Sequence, residues 1–226
     1  MRRSFSSILL CYSGVDSATS CVRDITLTDT DKSLIRRSWC VDYIDMNLLS
    51  GQIYEYAFRL EPSMQQLFPS IARNDSFNTA LKSWVKSNVS GSRTSVDSTI
   101  HSNKYFRNMS IKLVQTLDFV VRNLDDIAEV VKPHLRKKGA YHAKFVKDGF
   151  QLSYWKAMEM GIQHGILVHL NSKRLVAGDD LKRACAAWRT LVTWLVDYTR
   201  EGMYMELDQR CRRRCKRSKS DTRIKS

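Results

Sequence analysis

The sequence predicts an all-α fold, and three observations carry that expectation. Gly numbers 9 and Pro 3 over 226 residues, too few breakers for a turn-rich sandwich or barrel. Apolar residues recur at gaps of three and four along several stretches, the spacing of one helix face. No segment sustains the apolar–polar alternation that a half-buried strand needs. The length suits one domain with additions. An apolar share of 43% excludes a disordered chain, and no apolar run approaches the ~18 residues of a spanning helix.

Residues 1–26 begin Met1-Arg2-Arg3-Ser4, carry a short apolar run from Ile8 to Tyr12, and have no acid before Asp16. They read as a disordered extension, closer in composition to a transit peptide than to a signal peptide. Arg2 removes the N-myristoylation motif. The folded domain is expected over 27–209. Its first helix opens at Thr28-Asp29-Thr30-Asp31, good N-cap chemistry, and runs through Leu34, Ile35 and Trp39. A second spans about Ser50 to Leu60, with Ile53, Tyr54, Ala57 and Phe58 on one face. It stops at Glu61-Pro62, since a residue before proline is biased out of helix. A short turn with Met64, Leu67 and Phe68 follows. Residues 87–102 are dominated by Ser and Thr and read as an inserted loop.

Phe106, Met109, Ser110, Leu113, Leu117, Val120, Val121 and Leu124 form a long amphipathic stripe. A further helix starts near Pro133, a favoured first-turn residue, and includes Gly139 and His142. Two more follow, one lined by Phe150, Tyr154, Ala157, Met158, Gly161 and Ile162. The other opens near Gly178 and is lined by Cys185, Trp188, Leu191, Val192, Leu195 and Tyr198.

Charge is uneven. Residues 210–226 hold nine Lys or Arg and one Asp, a net of +8, which leaves 28 basic and 22 acidic residues in 1–209. The tail is a separate electrostatic object. The six cysteines (Cys11, Cys21, Cys40, Cys185, Cys211, Cys215) form no Cys-x-x-Cys and no zinc spacing. Their scatter suits a reduced, cytoplasmic protein. Within Cys211-Arg212-Arg213-Arg214-Cys215-Lys216-Arg217, thiols flanked by cations read as S-acylation sites on a membrane surface. A solvated tail and a nuclear localisation signal are the competing readings.

The order of these residues resembles a globin. Ser33-Leu34-Ile35-Arg36-Arg37-Ser38-Trp39 is similar to a globin first helix. Phe58-Arg59-Leu60-Glu61-Pro62 with Leu67-Phe68-Pro69 is similar to the second helix and the corner that wedges the haem. The spacing from Trp39 to Phe68 resembles that of neuroglobins without a gap. Phe106 to Asp126 resembles the distal helix, Gly139-Ala140-Tyr141-His142-Ala143 the proximal Gly-x-x-His, and Ala187-Trp188 with Leu191 the last helix. The likeness covers roughly 27–205 and is closest in style to nematode globins. Two departures stand out: Lys138 replaces the usual leucine four residues before the proximal histidine, and Met109 falls where many globins have His or Gln.

The resemblance implies a non-covalent haem b held by the neutral imidazole of His142. Cys-x-x-Cys-His is absent, so covalent attachment is not expected. It implies that Phe68, Phe106, Met109 and Leu113 wall the pocket and that Tyr54 donates a hydrogen bond to a bound gas. Met109 has three readings: a pocket filler, a sixth iron ligand, or a register slipped by one turn. His101, His134, His164 and His169 are read as non-ligands. The implied function is a haem globin that binds oxygen or another diatomic gas, or transfers electrons, for sensing or redox signalling rather than bulk oxygen carriage, with no enzymatic turnover assigned. A haemless partner-binding globin module is the alternative. No motif supports specific nucleic-acid recognition, and a homodimer stays open.

Overall fold

A computed structural model describes residues 26–39, 43–68 and 104–223, with residues 79 and 83 placed singly. The N-terminal extension up to residue 25, the Ser-rich stretch, Cys11, Cys21, Cys40 and His101 lie outside the described residues. The described residues form helices and turns only: α1 (Asp29–Ser38), α2 (Tyr43–Leu60), a 3-10 turn (Pro62–Leu67), α3 (Lys104–Arg122), a π turn (Ile127–Val131), α4 (Lys132–His142), a 3-10 turn (Ala143–Asp148), α5 (Ser153–Lys173) and α6 (Gly178–Arg223). Among them no helix is long and apolar enough to cross a membrane.

The start of α1 follows from its cap. The Thr28 hydroxyl accepts from the Asp31 N–H at 3.2 Å and the Asp31 carboxylate accepts from the Thr28 N–H at 3.0 Å, a reciprocal capping box. Arg183 of α6 grips the same carboxylate at 2.9 Å. The buried face of α1 is Leu34, Ile35 and Ser38. Ser38 accepts the Trp188 indole N–H at 2.9 Å. On the outer side, Arg36 (2.6 Å) and Lys32 (3.3 Å) reach Asp125 in the connector after α3.

The second helix begins earlier than the spacing of its apolar residues suggests. Its register runs back from Ser50 to Tyr43 because no breaker interrupts it and Leu49 is buried against α5. The crossing with α5 is close. A Cβ on Gly161 would stand 2.6 Å from the Ile53 carbonyl oxygen, so only a bare Cα lets the two backbones meet.

The placement of α4 depends on an equally tight crossing with α6. A Cβ on Gly139 would fall on the Thr199 carbonyl oxygen and 2.8 Å from the Met203 nitrogen, while a Cβ on Gly202 would meet the Arg136 backbone carbonyl, its carbon at 2.6 Å. Each helix contributes a glycine to the same contact. The π turn delivers the chain into α4 just before Pro133, which has no N–H for a ladder bond.

The last helix does not stop at the expected domain boundary. It continues unbroken through Arg223, 46 residues and about 69 Å long at 1.5 Å per residue. No Gly or Pro follows Gly202. The i,i+4 pairs Arg210–Glu206 and Arg212–Asp208, both 2.7 Å, support the exposed stretch. Residues 210–223 of the basic segment therefore continue the last helix.

Candidate functional site

The connector after α3 pairs α3 and α4 at their joined ends, where Phe119 stacks on His134 at 4.1 Å. The phenol pKa of Tyr141, beside His142, is lowered, chiefly by a hydrogen bond from Lys144.

His142 is the last residue of α4, half-buried, with its ring 5.4 Å from that of Trp155. Its Nδ1 lies 2.8 Å from the Lys138 carbonyl oxygen. A carbonyl only accepts, so Nδ1 carries the proton and Nε2 keeps its lone pair. Burial holds the imidazole pKa below its ordinary value, helped by the charges of Lys138 and Lys144 and opposed by the bond to the Lys138 carbonyl. The ring is thus a neutral, oriented donor. The replacement of leucine by Lys138 leaves this bond intact, because the backbone of residue 138 makes it.

A second apolar cluster draws on α2, α3 and α5. Tyr54, Ala57, Phe58, Met64, Phe106, Tyr154 and Ala157 are buried together, with Phe68, Met109, Leu113, Phe150 and Met158 half-buried at their edge. The five distal residues expected from the sequence are therefore brought together. The Tyr54 ring is held edge-on to Phe106 at 6.0 Å and to Phe68 at 6.4 Å. Its hydroxyl makes no hydrogen bond among the described residues, and burial pushes its pKa far up, so it stays a protonated donor.

Sequence reasoning missed Trp155 altogether and treated Phe150 and Tyr154 only as a helix stripe. The three form a chain of rings: Trp155 to Phe150 at 5.3 Å and Phe150 to Tyr154 at 5.3 Å. That chain joins His142 to the distal cluster. The Trp155 indole N–H is buried without a partner among the described residues. Two adjacent aromatics opening a helix were the available signal.

The other histidines are occupied elsewhere. His134 stacks on Phe119, His164 stacks on Tyr56 at 4.2 Å, and His169 is buried beside Trp39. A cavity of about 210 Å³ between α2, α5 and α6, lined by Tyr56, His164, Cys185, Trp188 and Arg189, contains none of the expected site residues. Among the described residues no three His, Cys, Asp or Glu side chains gather to hold a metal. A metal at His142 would have to arrive with its other ligands.

No family model matches the chain. It is 29% identical over 98 residues to the globin-related protein glb-13 of Caenorhabditis elegans, a match covering 43% of this chain and 32% of that protein. Its fold is similar to the crystal structure of a hexacoordinated haem protein from an anhydrobiotic tardigrade. That likeness has a TM-score of 0.56 and 19% identity, and covers 79% of this chain and 96% of the other. The resemblance read from the sequence is borne out: the architecture is the globin fold, and the sequence relative is a nematode one.

Proposed function

We infer that this chain, whose fold is a globin's, binds one haem b non-covalently between α3 and α4 through Nε2 of His142. The observation that carries the reading is the Nδ1–H bond to the Lys138 carbonyl, which leaves a neutral imidazole with its other nitrogen free as a ligand. The walls suit the same group. Phe68, Met109, Leu113, Phe150 and Met158 are apolar yet only half-covered by protein, and a flat apolar macrocycle would remove that surface from water.

Bound there, haem supplies an iron able to take a diatomic ligand or exchange an electron. The protein's own part is positional and electrostatic. Lys138 holds the imidazole's tautomer, Trp155 packs on its ring, and the crossing of α4 with α6 fixes the helix that carries it. Phe68, Phe106 and Leu113 keep the distal side apolar. Tyr54 carries a protonated hydroxyl that lacks an acceptor among the described residues, and a partly anionic bound gas would provide one. Met109 fills the distal position without offering a hydrogen bond. A pocket with a phenol donor and a thioether, in place of a distal histidine, suits gas sensing or redox signalling better than bulk carriage.

The test is to purify His142→Ala and titrate it with haem. Weakened binding with a changed visible spectrum is expected. Wild-type affinity with an unchanged spectrum overturns the assignment.

The extension of α6 is a second place of contact. Cys211 and Cys215 stand one helical turn apart on one face, with Arg212, Arg213 and Arg214 between them. Thiols on one face and cations around them suit acylation beside an anionic leaflet, where chain and charge act together.

A further inference from the structure

We propose that Tyr154 is a one-electron, one-proton donor to the haem centre, with Ser63 and Glu61 as its proton exit. The proposal rests on the haem reading above and assigns a redox role to residues that reading does not use.

The hydrogen-bond directions can be derived. The Ser63 hydroxyl lies 2.6 Å from the Glu61 carboxylate, which can only accept, so the serine's single proton points there. The Tyr154 hydroxyl lies 3.1 Å from the same serine oxygen. With that serine proton already committed, Tyr154 must be the donor. The chain therefore runs one way, from the buried phenol through Ser63 to Glu61. Bonds from Ser63 and then Ser153 hold the Glu61 carboxyl below its usual range, so it is ionised and able to take the proton.

Three buried oxidisable aromatic side chains with an X–H group, Tyr54, Tyr154 and Trp155, lie around the site, and among the described residues only Tyr154 has a proton acceptor. Among the described residues neither the buried Trp155 indole N–H nor the Tyr54 hydroxyl has a partner. An indole or phenol that loses an electron becomes strongly acidic. If its proton cannot leave, a charge is stranded in an apolar interior. Tyr154 escapes that cost. Trp155, ring-to-ring with His142 at 5.4 Å, and Phe150 span the distance to Tyr154.

The step balances with hydrogen peroxide as the oxidant. To become two molecules of water, peroxide would take up two protons from solvent and draw two electrons from the haem-loaded site. Tyr154 returns one of them: its O–H bond breaks, the electron goes to the centre, and the proton passes to Ser63 as the serine proton passes to Glu61. A neutral phenoxyl radical remains.

The test is electron paramagnetic resonance on the ferric, haem-loaded full chain, frozen shortly after one equivalent of peroxide. A tyrosyl signal is expected in the wild type and its loss in Tyr154→Phe. Ser63→Ala leaves the buried phenol in place and severs only the exit, so loss of most of the signal there excludes a packing effect. A tyrosyl signal that persists in Tyr154→Phe, a tryptophanyl signal in the wild type, or an unchanged yield in Ser63→Ala overturns the proposal. The visible spectrum of the same samples separates the two readings. A normal haem spectrum with the wrong radical refutes Tyr154 alone, whereas a chain that takes up no haem refutes both.

Discussion

Alanine is a better helix former than glycine by about 0.8–1 kcal/mol, so Gly139→Ala in the interior of α4 would stabilise an isolated helix. The tertiary contact reverses that sign. The new Cβ would fall on the Thr199 carbonyl oxygen and 2.8 Å from the Met203 nitrogen. Both are backbone atoms of α6 and cannot rotate aside. Restoring ordinary contact requires α4 to back away, and overpacking of this kind costs about 1–3 kcal/mol. Because backbone meets backbone, the upper half of that range applies. The net expectation is a loss of about 1–2 kcal/mol, or roughly 2–8 °C in the unfolding midpoint of a domain this size. Thermal unfolding followed by far-ultraviolet circular dichroism reads it directly. Gly202→Ala meets Arg136 at the same crossing, so one separation relieves both clashes, and the double variant should lose less than the sum of the singles. A Gly139→Ala protein as stable as the wild type would refute the claim that this glycine is required by the α4–α6 contact. It would leave the Gly-x-x-His spacing without a physical explanation.

Other expectations follow from the same geometry. Burial lowers the His142 pKa from 6.5, so the unfolded chain binds more protons between the folded value and 6.5. Stability of the haem-free protein is then fully present above 6.5 and falls as pH drops towards the folded value; denaturant midpoints at a series of pH values should show this slope, shallower in His142→Gln. Tyr54→Phe removes a hydrogen bond to a partly charged ligand worth roughly 1.5–3 kcal/mol. Oxygen release or autoxidation should speed up by about ten- to a hundredfold, with Met109→Leu changing little. If the resting spectrum is six-coordinate low-spin and Met109→Leu makes it five-coordinate, methionine is the sixth ligand and the electron-transfer reading gains. Removing residues 210–226, or replacing Cys211 and Cys215 by Ser, should move the protein from membrane to soluble fractions of cells; an unchanged distribution removes the extension from the functional account. Thr28→Ala breaks the capping box and should cost about 0.5–2 kcal/mol, seen as a lower unfolding midpoint.

The helical class, the order of the elements and the gathering of Tyr54, Phe68, Phe106, Met109 and Leu113 into one cluster were legible in the amino-acid sequence. These depend on local periodicity and on fixed intervals along the chain, and a helix face is written in its own residues. Thr28 and Asp31 cap α1 as their identities suggest, because a capping box closes within four residues. The length of α2 and the run of α6 through Arg223 were less legible. Their ends are set by burial of Leu49 and by side-chain pairs such as Arg210–Glu206 rather than by a breaker. What the tertiary structure alone decided joins distant positions: Ser63 to Tyr154, 91 residues apart, and Trp188 to Ser38, 150 apart. It also decided the meeting of Gly139 with α6 and of Trp155 with His142. No period or motif encodes such pairs, since each partner lies on a different helix and its identity is constrained only by the atom it touches. Hence the position of His142 in a Gly-x-x-His could be read in one dimension, while the row of rings from His142 to Tyr154 and its bond to Ser63 exist only once α4, α5 and the turn after α2 are packed together.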